Sequence, residues 1–363
     1  MFIPHEPEKN ASSRYRIYKY LSYLEKDGIE FDVIPPVSND VYSKYYNILH
    51  SKGNKLQKML YKIRYIYPKK LFLLFKARNY DVIFILRLNS IFEQLISKYN
   101  KTIFDFDDAL FNTSVYDDRK GLVKKLTHKI KSLINGSDPT ARMVKHAKYV
   151  IVGNQYLFDY AKKYNNNCVI IPTPLDLDRY KRKDDYNKKL NEAIIICWIG
   201  NPSNIWHLNS VKDVLIELSK KYNIVLRVIS SQEYKVENLN VENVMWSEEK
   251  EVEFLRTSDI GIMPLFVNEY TKGKCGFKAL QYMAVGLPVV VTGVGINNEI
   301  VKNDYNGYVA NNEKEWYMYL EKLIIDSELR KKLGLNGYTY VQRYAVEKNY
   351  DIFKKVLLKT YNE

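Results

Sequence analysis

The sequence is poor in cysteine and has no long apolar run. Its 363 residues include only three cysteines, Cys168, Cys197 and Cys275. They are widely spaced and odd in number, so they form neither a disulfide framework nor a metal-binding pattern, which favours a reducing compartment. No apolar run approaches the roughly 18 residues that a membrane-spanning helix needs, and we expect no signal peptide. We therefore expect a cytoplasmic protein.

Histidine is also rare. The five histidines are His5, His50, His128, His146 and His207. None belongs to a Ser-His-Asp or Cys-His arrangement that the sequence reveals, which argues against hydrolysis by a nucleophilic side chain.

The positive charge is unevenly distributed. The formal net charge is +14, and residues 1–180 hold 30 Lys and Arg against 18 Asp and Glu, whereas the remainder holds 26 against 24. This asymmetry indicates an anionic partner for the first half, such as nucleic acid, a phosphate-bearing substrate or a membrane surface. No helix-turn-helix, zinc-finger or RNA-binding fingerprint occurs, so the sequence argues against nucleic acid.

Length and pattern predict two α/β domains. The chain is 46% hydrophobic and suits two domains of ordinary size, with the lysine-rich stretch 181–192 as their boundary. After it come an apolar strand at 193–199, a turn at Gly200, a helix at 208–221 and a strand at 224–229. This order predicts a Rossmann-like unit.

The stretch 272–291, KGKCGFKALQYMAVGLPVVV, combines a loop, a helix and a buried strand. The predicted helix begins at Cys275 and Gly276, with Lys274 and Lys278 at its start. Two cations at the positive end of a helix dipole predict an anion site. The alternative is a solvated lysine pair on a helix surface, which is common.

This stretch resembles the signature of the family 4 (group 1) glycosyltransferases, E-x-F-G-x-x-x-x-E-A-M-A-x-G-x-P-V-V. The residues that match are Gly276, Met283, Ala284, Gly286, Pro288, Val289 and Val290. The family's two glutamates fall on Gly273 and Gln281, and Lys274 and Lys278 are present instead. The sequence is similar to a branch of the family with a K-C-x-F-K-x-L-Q-Y-M-A version of the motif.

The resemblance implies the GT-B fold, with two Rossmann-like domains facing each other across a cleft. Residues 1–180 would form the acceptor domain and residues 181–340 the nucleotide-sugar domain. Residues 341–363 would form a helix that packs back on the first domain.

The resemblance also implies a set of donor-binding residues. Gln281 takes the place of a glutamate that contacts the ribose in the family. An amide can still form a hydrogen bond with a diol, though a weaker one than a carboxylate forms. The turn at Gly200 lacks the Arg and Lys that often bind the diphosphate, so Lys274 and Lys278 would replace them. The expected donor site contains Gly200, Asn201, Pro264, Lys274, Cys275, Gly276, Phe277, Lys278 and Gln281.

Three acidic residues lie at the carboxyl end of the predicted strand 102–106. Open α/β sheets form their ligand crevice at the carboxyl ends of their strands. They are Asp105, Asp107 and Asp108. Hard cations prefer carboxylate oxygens, so one interpretation is a metal site. The other comes from the resemblance to the family's T-x-H-D strand end, where Asp107 replaces the histidine and Asp108 keeps the aspartate. It implies contact with an acceptor hydroxyl or a sugar.

Arg14 and Arg16 lie in the first turn of a helix predicted to run to about Lys26. Cations are unfavourable there on a dipole argument, so these arginines either hold a phosphate or acceptor group or lie on plain surface.

Two lysine-rich amphipathic helices are predicted at 55–67 and 120–134. Such helices can lie in the interface of an anionic bilayer. The alternative is an ordinary core-facing helix with a solvated basic back.

The resemblance implies a retaining, hexosyltransferase-type glycosyltransferase of bacterial polysaccharide and cell-envelope biosynthesis. It would move a sugar from a nucleotide diphosphate sugar, a UDP-sugar, to a lipid-linked or cell-surface glycan. Lys278, Asp107 and Asp108 would be catalytic, without metal or cofactor, because lysines can neutralise the departing diphosphate. We expect peripheral attachment to the inner face of the plasma membrane. The alternative is an inactive GT-B scaffold or partner subunit, because both motif glutamates are absent.

Overall fold

The structure is a computed structural model that describes residues 1–8, 10–50, 55–112, 136, 138–187 and 192–363. The chain forms two compact units, each with one parallel sheet. The first unit contains Met1–Pro174 and Val346–Glu363, and the second contains Leu175–Ala345. The division between the units thus precedes the polar stretch 181–192.

The first unit is built on a five-stranded sheet in which the strands pair in chain order. These strands are β1 (Phe2–Ile3), β2 (Ile83–Leu86), β3 (Thr102–Phe106), β4 (Tyr149–Val152) and β5 (Cys168–Ile170). Every residue of the three strands β1 to β3 is buried, as expected for parallel strands covered on both faces. Their carboxyl ends lie side by side, which brings together the segments that follow them.

Helices flank this sheet. They are α1 (Ala11–Arg16), α2 (Leu21–Lys26), α3 (Asn39–His50), α4 (Lys55–Tyr61), α5 (Tyr67–Lys76), α6 (Ile91–Tyr99), α7 (Pro139–His146) and α8 (Gln155–Ala161). A π-helical turn at Lys62–Ile66 joins α4 to α5. The predicted single helix ending near Lys26 is wrong, because α1 ends at Arg16 and a 3₁₀ turn at Tyr18–Tyr20 separates it from α2.

The C-terminal helix, Val346–Asn362, completes the core of the first unit. The ring of Phe353 stacks on Tyr20 with centroids 4.8 Å apart, and it also contacts the rings of Phe2 and Phe84. The Tyr350 hydroxyl of the same helix donates to the Asp27 carboxylate.

The second unit is built on a six-stranded parallel sheet in the order β11-β10-β9-β6-β7-β8. These strands are β6 (Ile194–Ile199), β7 (Ile224–Ser230), β8 (Val241–Met245), β9 (Ile260–Met263), β10 (Val289–Thr292) and β11 (Gly307–Ala310). The helices are α9 (Lys212–Lys221), α10 (Glu251–Arg256), α11 (Glu269–Lys272), α12 (Phe277–Ala284), α13 (Asn297–Ile300), α14 (Glu313–Ile325) and α15 (Ser327–Val341). Among the described helices of both units, none has the length and apolar character of a membrane span.

The Tyr282 side chain holds α12 against the middle of this sheet. Its hydroxyl accepts the backbone N–H of Ile199 in β6 and donates to the carbonyl of Ile262 in β9, both at 3.0 Å. The ring fits because β9 has glycine at position 261, where a Cβ would lie 2.3 Å from the ring. The helix that carries Lys278 is therefore fixed to two strands.

Candidate functional site

Helix α12 begins at a glycine that no other residue could replace without strain. Gly276 has φ +65°, in the left-handed region. A Cβ there would lie 2.5 Å from Cδ1 of Ile300 and 3.3 Å from Oδ1 of Asn297. Glycine thus allows both the turn and the close approach of α13, and the positive end of the α12 dipole lies at this point.

Lys278 crosses the carboxyl end of β6. A Cβ at Gly200 would lie only 2.8 Å from Cε of Lys278, so the lysine stem passes directly over this glycine. The Lys278 ammonium lies 5.4 Å from the ring centroid of Trp198, and that of Lys274 lies 4.8 Å from the ring of Tyr270. The carboxyl edge of an open α/β sheet is where such folds bind ligands.

Besides burial, the charges of Lys274 and Lys278 both lower the pKa of His207. His207 is buried next to this edge, and its pKa is lowered to about 3, first by burial and then by the charges of Lys278 and Lys274. The structure thus places Lys278 over Gly200, and both lysines near enough to His207 to lower its pKa. That these residues bind a donor remains a prediction.

The other expected donor residues lie around this group. Asn201 is exposed and precedes the 3₁₀ helix Pro202–Ser210, and Pro264 is buried directly after β9. Cys275 is buried, and Phe277 packs partly against the core of the second unit. Their contact with a donor remains a prediction.

Gln281 takes part in a buried network around Glu251. Its amide donates to the Tyr180 hydroxyl at 2.9 Å and lies 3.5 Å from Oε1 of Glu251. Glu251 is 2% exposed and also accepts from Tyr180 and Trp246 and pairs with Arg179. A carboxylate thus lies beside the position where the family has its second glutamate. No local sequence pattern indicates this contact, because Glu251 lies on a different helix.

Arg87 organises the acids that follow β3. Its guanidinium pairs with Asp107 at 3.2 Å and with Asp108 at 2.8 Å, and it donates to Oγ of Ser12. Ser12 in turn donates to Asp107 at 2.9 Å. Arg87 has φ +60°, a left-handed conformation that is strained for a residue with a side chain. Sequence reasoning missed this arginine.

Arg14 and Arg16 are both buried, so the plain-surface alternative is wrong for them. Because α1 is short, both lie in its last turn, and the expected dipole penalty is also wrong. Arg16 donates to Asp105 at 2.7 Å and to the oxygens of Ile171 and Thr173. Burial raises the pKa of Asp105 to about 6, although the Arg16 charge opposes that shift. Phosphate or acceptor contact by the two arginines remains a prediction.

The described residues contain no group of three or more His, Cys, Asp or Glu side chains placed to hold a metal ion. In the acidic segment the carboxylates of Asp105, Asp107 and Asp108 instead pair with arginines.

Known proteins resemble this chain in sequence and in fold. Residues 181–340 match the family model of the glycosyl transferases group 1. An uncharacterized glycosyltransferase of Methanocaldococcus jannaschii, MJ1178, is 30% identical over 241 residues, which cover 59% of this chain. The match spans 64% of that relative's length, less than two thirds of it.

Solved structures extend the likeness to nearly the whole chain. Anabaena Alr3699/HepE in complex with UDP-glucose aligns with a TM-score of 0.64 and 13% identity, covering 99% of this chain and 98% of the other. WaaG, a glycosyltransferase involved in lipopolysaccharide biosynthesis, aligns with a TM-score of 0.64 and 15% identity over 97% and 98%. This chain has the GT-B fold.

We predict that Gly276→Ala lowers the free energy of unfolding by more than Gly28→Ala does. Both glycines have similar positive φ, +65° and +69°, so each variant should lose about 1–2 kcal/mol from the backbone alone. Only at Gly276 does the new methyl group meet the buried side chain of Ile300, whereas nothing lies within 4 Å at Gly28. Urea unfolding followed by circular dichroism measures both losses. Equal losses would contradict the prediction and would show that Ile300 of α13 moves aside for the new methyl group at no cost in stability.

Proposed function

We propose that this protein is a retaining, hexosyltransferase-type glycosyltransferase that uses a UDP-sugar and needs no metal. The observation that carries the proposal is the pair of lysines at the start of α12, with Lys278 lying over Gly200 at the end of β6. This group lies within the residues that match the group 1 family. Retention of the anomeric configuration rests on the family resemblance alone.

The lysines would serve the leaving group. In the transfer, the bond between the anomeric carbon and the diphosphate oxygen breaks, and the nucleoside diphosphate leaves with the bonding electrons. The acceptor oxygen forms the new bond to the anomeric carbon, and the proton of its hydroxyl passes to the leaving diphosphate. Lys274, Lys278 and the positive end of α12 would stabilise the charge that grows on it. The tight passage of Lys278 over Gly200 restricts the lysine to this edge of the sheet.

Asp107 and Asp108 would serve the acceptor. Arg87 and Ser12 fix their carboxylates, so an acceptor hydroxyl would meet an ordered set of hydrogen-bonding groups. Orientation of this kind lowers the entropy cost of bringing the hydroxyl to the anomeric carbon. Arg14, buried in the same unit, remains our candidate for an acceptor phosphate.

The comparisons support the substrate classes. A structure of HepE holds UDP-glucose, which supports a UDP-sugar donor here. WaaG acts in lipopolysaccharide biosynthesis, which supports a lipid-linked or cell-surface glycan acceptor and a role in the bacterial cell envelope.

The first prediction from this proposal concerns the donor. Lys278→Ala and Lys274→Ala should each weaken UDP binding about 10-fold or more, because a hydrogen bond to a charged group contributes roughly 1.5–3 kcal/mol. Isothermal titration calorimetry measures the affinity. Lys235→Ala, which changes an 82%-exposed lysine of the same unit, should bind UDP like the wild type. Unchanged affinity in both site variants, with normal melting temperatures, would remove the lysines from the donor site.

The second prediction concerns metal. Turnover of a UDP-sugar, or its slow hydrolysis, should persist in EDTA, because lysines take the place of a cation at the diphosphate. The rate of UDP release measures both turnover and hydrolysis. A strict requirement for Mg²⁺ or Mn²⁺ that Asp107→Asn abolishes would make the acidic segment a metal site. Binding of UDP without any turnover across a panel of nucleotide-sugars and acceptors would favour the inactive scaffold.

The first unit also carries an exposed apolar surface, which we call the basic apolar face. Its members recur at helical spacing along α4, the π-helical turn and α5, and each is roughly half to two-thirds exposed: Leu56 55%, Met59 52%, Leu60 55%, Ile63 51%, Tyr67 48%, Leu71 52%, Phe72 48% and Phe75 65%. The stripe predicted at 55–67 is therefore exposed, and it is Tyr61 of this helix that is buried in a core cluster. The second predicted helix, 120–134, lies outside the described residues.

The charges beside the basic apolar face favour an anionic membrane. Lys58, Lys62 and Arg64 lie along it, and the ammonium groups of Lys69 and Lys76 lie over the ring of Phe72. Exposed apolar residues flanked by cations are typical of helices that lie in a bilayer interface. We therefore propose peripheral attachment to the cytoplasmic face of the plasma membrane through this surface, where a lipid-linked acceptor would lie.

This attachment predicts flotation with anionic vesicles and little flotation with neutral ones. Each cation near an anionic surface contributes about 1 kcal/mol, and the attraction fades over a Debye length of about 8–10 Å. The triple variant Lys58→Gln, Lys62→Gln, Arg64→Gln should lose most of the binding, and so should Leu60→Ser with Ile63→Ser. Liposome flotation at low and high salt measures both effects.

A matched control for the apolar change is Leu358→Ser, since Leu358 is 42% exposed on the C-terminal helix and lies outside the basic apolar face. It should float like the wild type. Equal recovery with neutral and anionic vesicles, or none with either, would contradict the attachment and favour a soluble acceptor.

A further inference from the structure

His207 is a buried imidazole with one nitrogen unused by the protein. It lies in the 3₁₀ helix Pro202–Ser210 that follows β6, and it is 1% exposed. Its Nδ1 accepts the backbone N–H of Phe266 at 3.2 Å. Its Nε2 is also buried, and among the described residues it has no hydrogen-bonding partner. Buried polar atoms are nearly always paired, so this nitrogen indicates a partner from outside the chain.

The contact at Nδ1 decides which nitrogen carries the proton. A nitrogen that accepts a hydrogen bond has no proton, so in the neutral ring the proton is on Nε2. The ring is neutral at physiological pH because burial, Lys278 and Lys274 together lower its pKa to about 3. His207 is therefore an uncharged N–H donor close to two cations.

Partly exposed aromatic rings lie next to His207 and could line a ligand-binding site. The ring of Trp206 stacks on Phe266 with centroids 4.9 Å apart and an angle of 7°, and it also stacks on His207 at 4.1 Å. Trp206 and Phe266 are 37% and 38% exposed. The aromatic rings could pack against an organic group of a ligand, and the two lysines and the buried N–H donor could bind an anionic group of the same ligand.

We propose that Nε2–H of His207 donates a hydrogen bond to an oxygen of the nucleoside diphosphate held by Lys274 and Lys278. This inference rests on the proposed function and adds a residue to it. Lysines attract the diphosphate as point charges, whereas an imidazole fixed by Phe266 supplies one directed bond. His207 would thus set the orientation of the diphosphate without adding a third positive charge.

Two substitutions separate the roles of the two ring nitrogens. In His207→Asn, the amide oxygen can take the place of Nδ1 and accept the Phe266 N–H, but no donor reaches the position of Nε2. In His207→Gln, the longer amide can place an N–H near that position. We expect His207→Asn to weaken UDP binding about 10-fold and His207→Gln to recover part of the loss. His146→Asn, a change in α7 of the first unit, should bind UDP like the wild type.

A spectroscopic measurement on the wild-type protein tests the same contact. With ¹⁵N-labelled histidine, NMR should show His207 as the Nε2–H tautomer at neutral pH, assigned by its absence in His207→Asn or in His207→Gln. Saturating UDP at constant pH should shift the Nε2 resonance. A purely structural histidine would keep that resonance in place.

The outcomes separate this inference from the proposed function. Normal UDP affinity in His207→Asn, or an unshifted Nε2 resonance in UDP-bound wild type, would overturn the role of His207 while weaker binding by Lys278→Ala still supported the donor site. If His207→Asn does not fold, the NMR result on the wild type decides, with the His207 resonance assigned by its absence in His207→Gln. A wild-type protein that binds no UDP, GDP or ADP would overturn both proposals.

Discussion

The hydroxyl of Tyr282 is the contact on which the candidate donor site depends. It joins α12 to β6 and β9, adjacent strands at the centre of the six-stranded sheet. Burial raises the pKa of this hydroxyl well above its usual range, so it stays protonated and can both donate and accept. Lys278 lies one helical turn before Tyr282. Fixing Tyr282 therefore determines where the Lys278 stem crosses Gly200, and Gly261 makes this possible by leaving room for the ring.

Much of this donor region could be predicted from the sequence because its determinants are local. Glycine and proline mark the ends of α12 and the beginning of β10, and the structure has both elements within the stretch 272–291. The same holds for β3, whose apolar run ends in the acids that the sequence singled out. Patterns of this kind depend on neighbours a few residues apart, which a single sequence contains in full.

The partners of these residues could not be predicted, because they come from distant parts of the chain. Arg87 reaches Asp107 and Asp108 only because β2 and β3 are adjacent, and Glu251 reaches Gln281 from α10. Helical periodicity likewise showed an apolar stripe at 55–67 but not whether anything covers it. Burial of Arg16 had no local signal either, since its carboxylate partner is Asp105 in β3.

The C-terminal helix has a consequence for biosynthesis. Phe353 fills the core of the first unit, yet the ribosome makes residues 346–363 only after it has completed the whole second unit. Domains generally fold as units during synthesis, the N-terminal one first. Here that order is reversed: the second unit is continuous in the chain and can fold as it emerges, whereas the first unit lacks Phe353 until residues 346–363 have been made. The nascent first unit is thus the part of this protein that most needs protection by a chaperone.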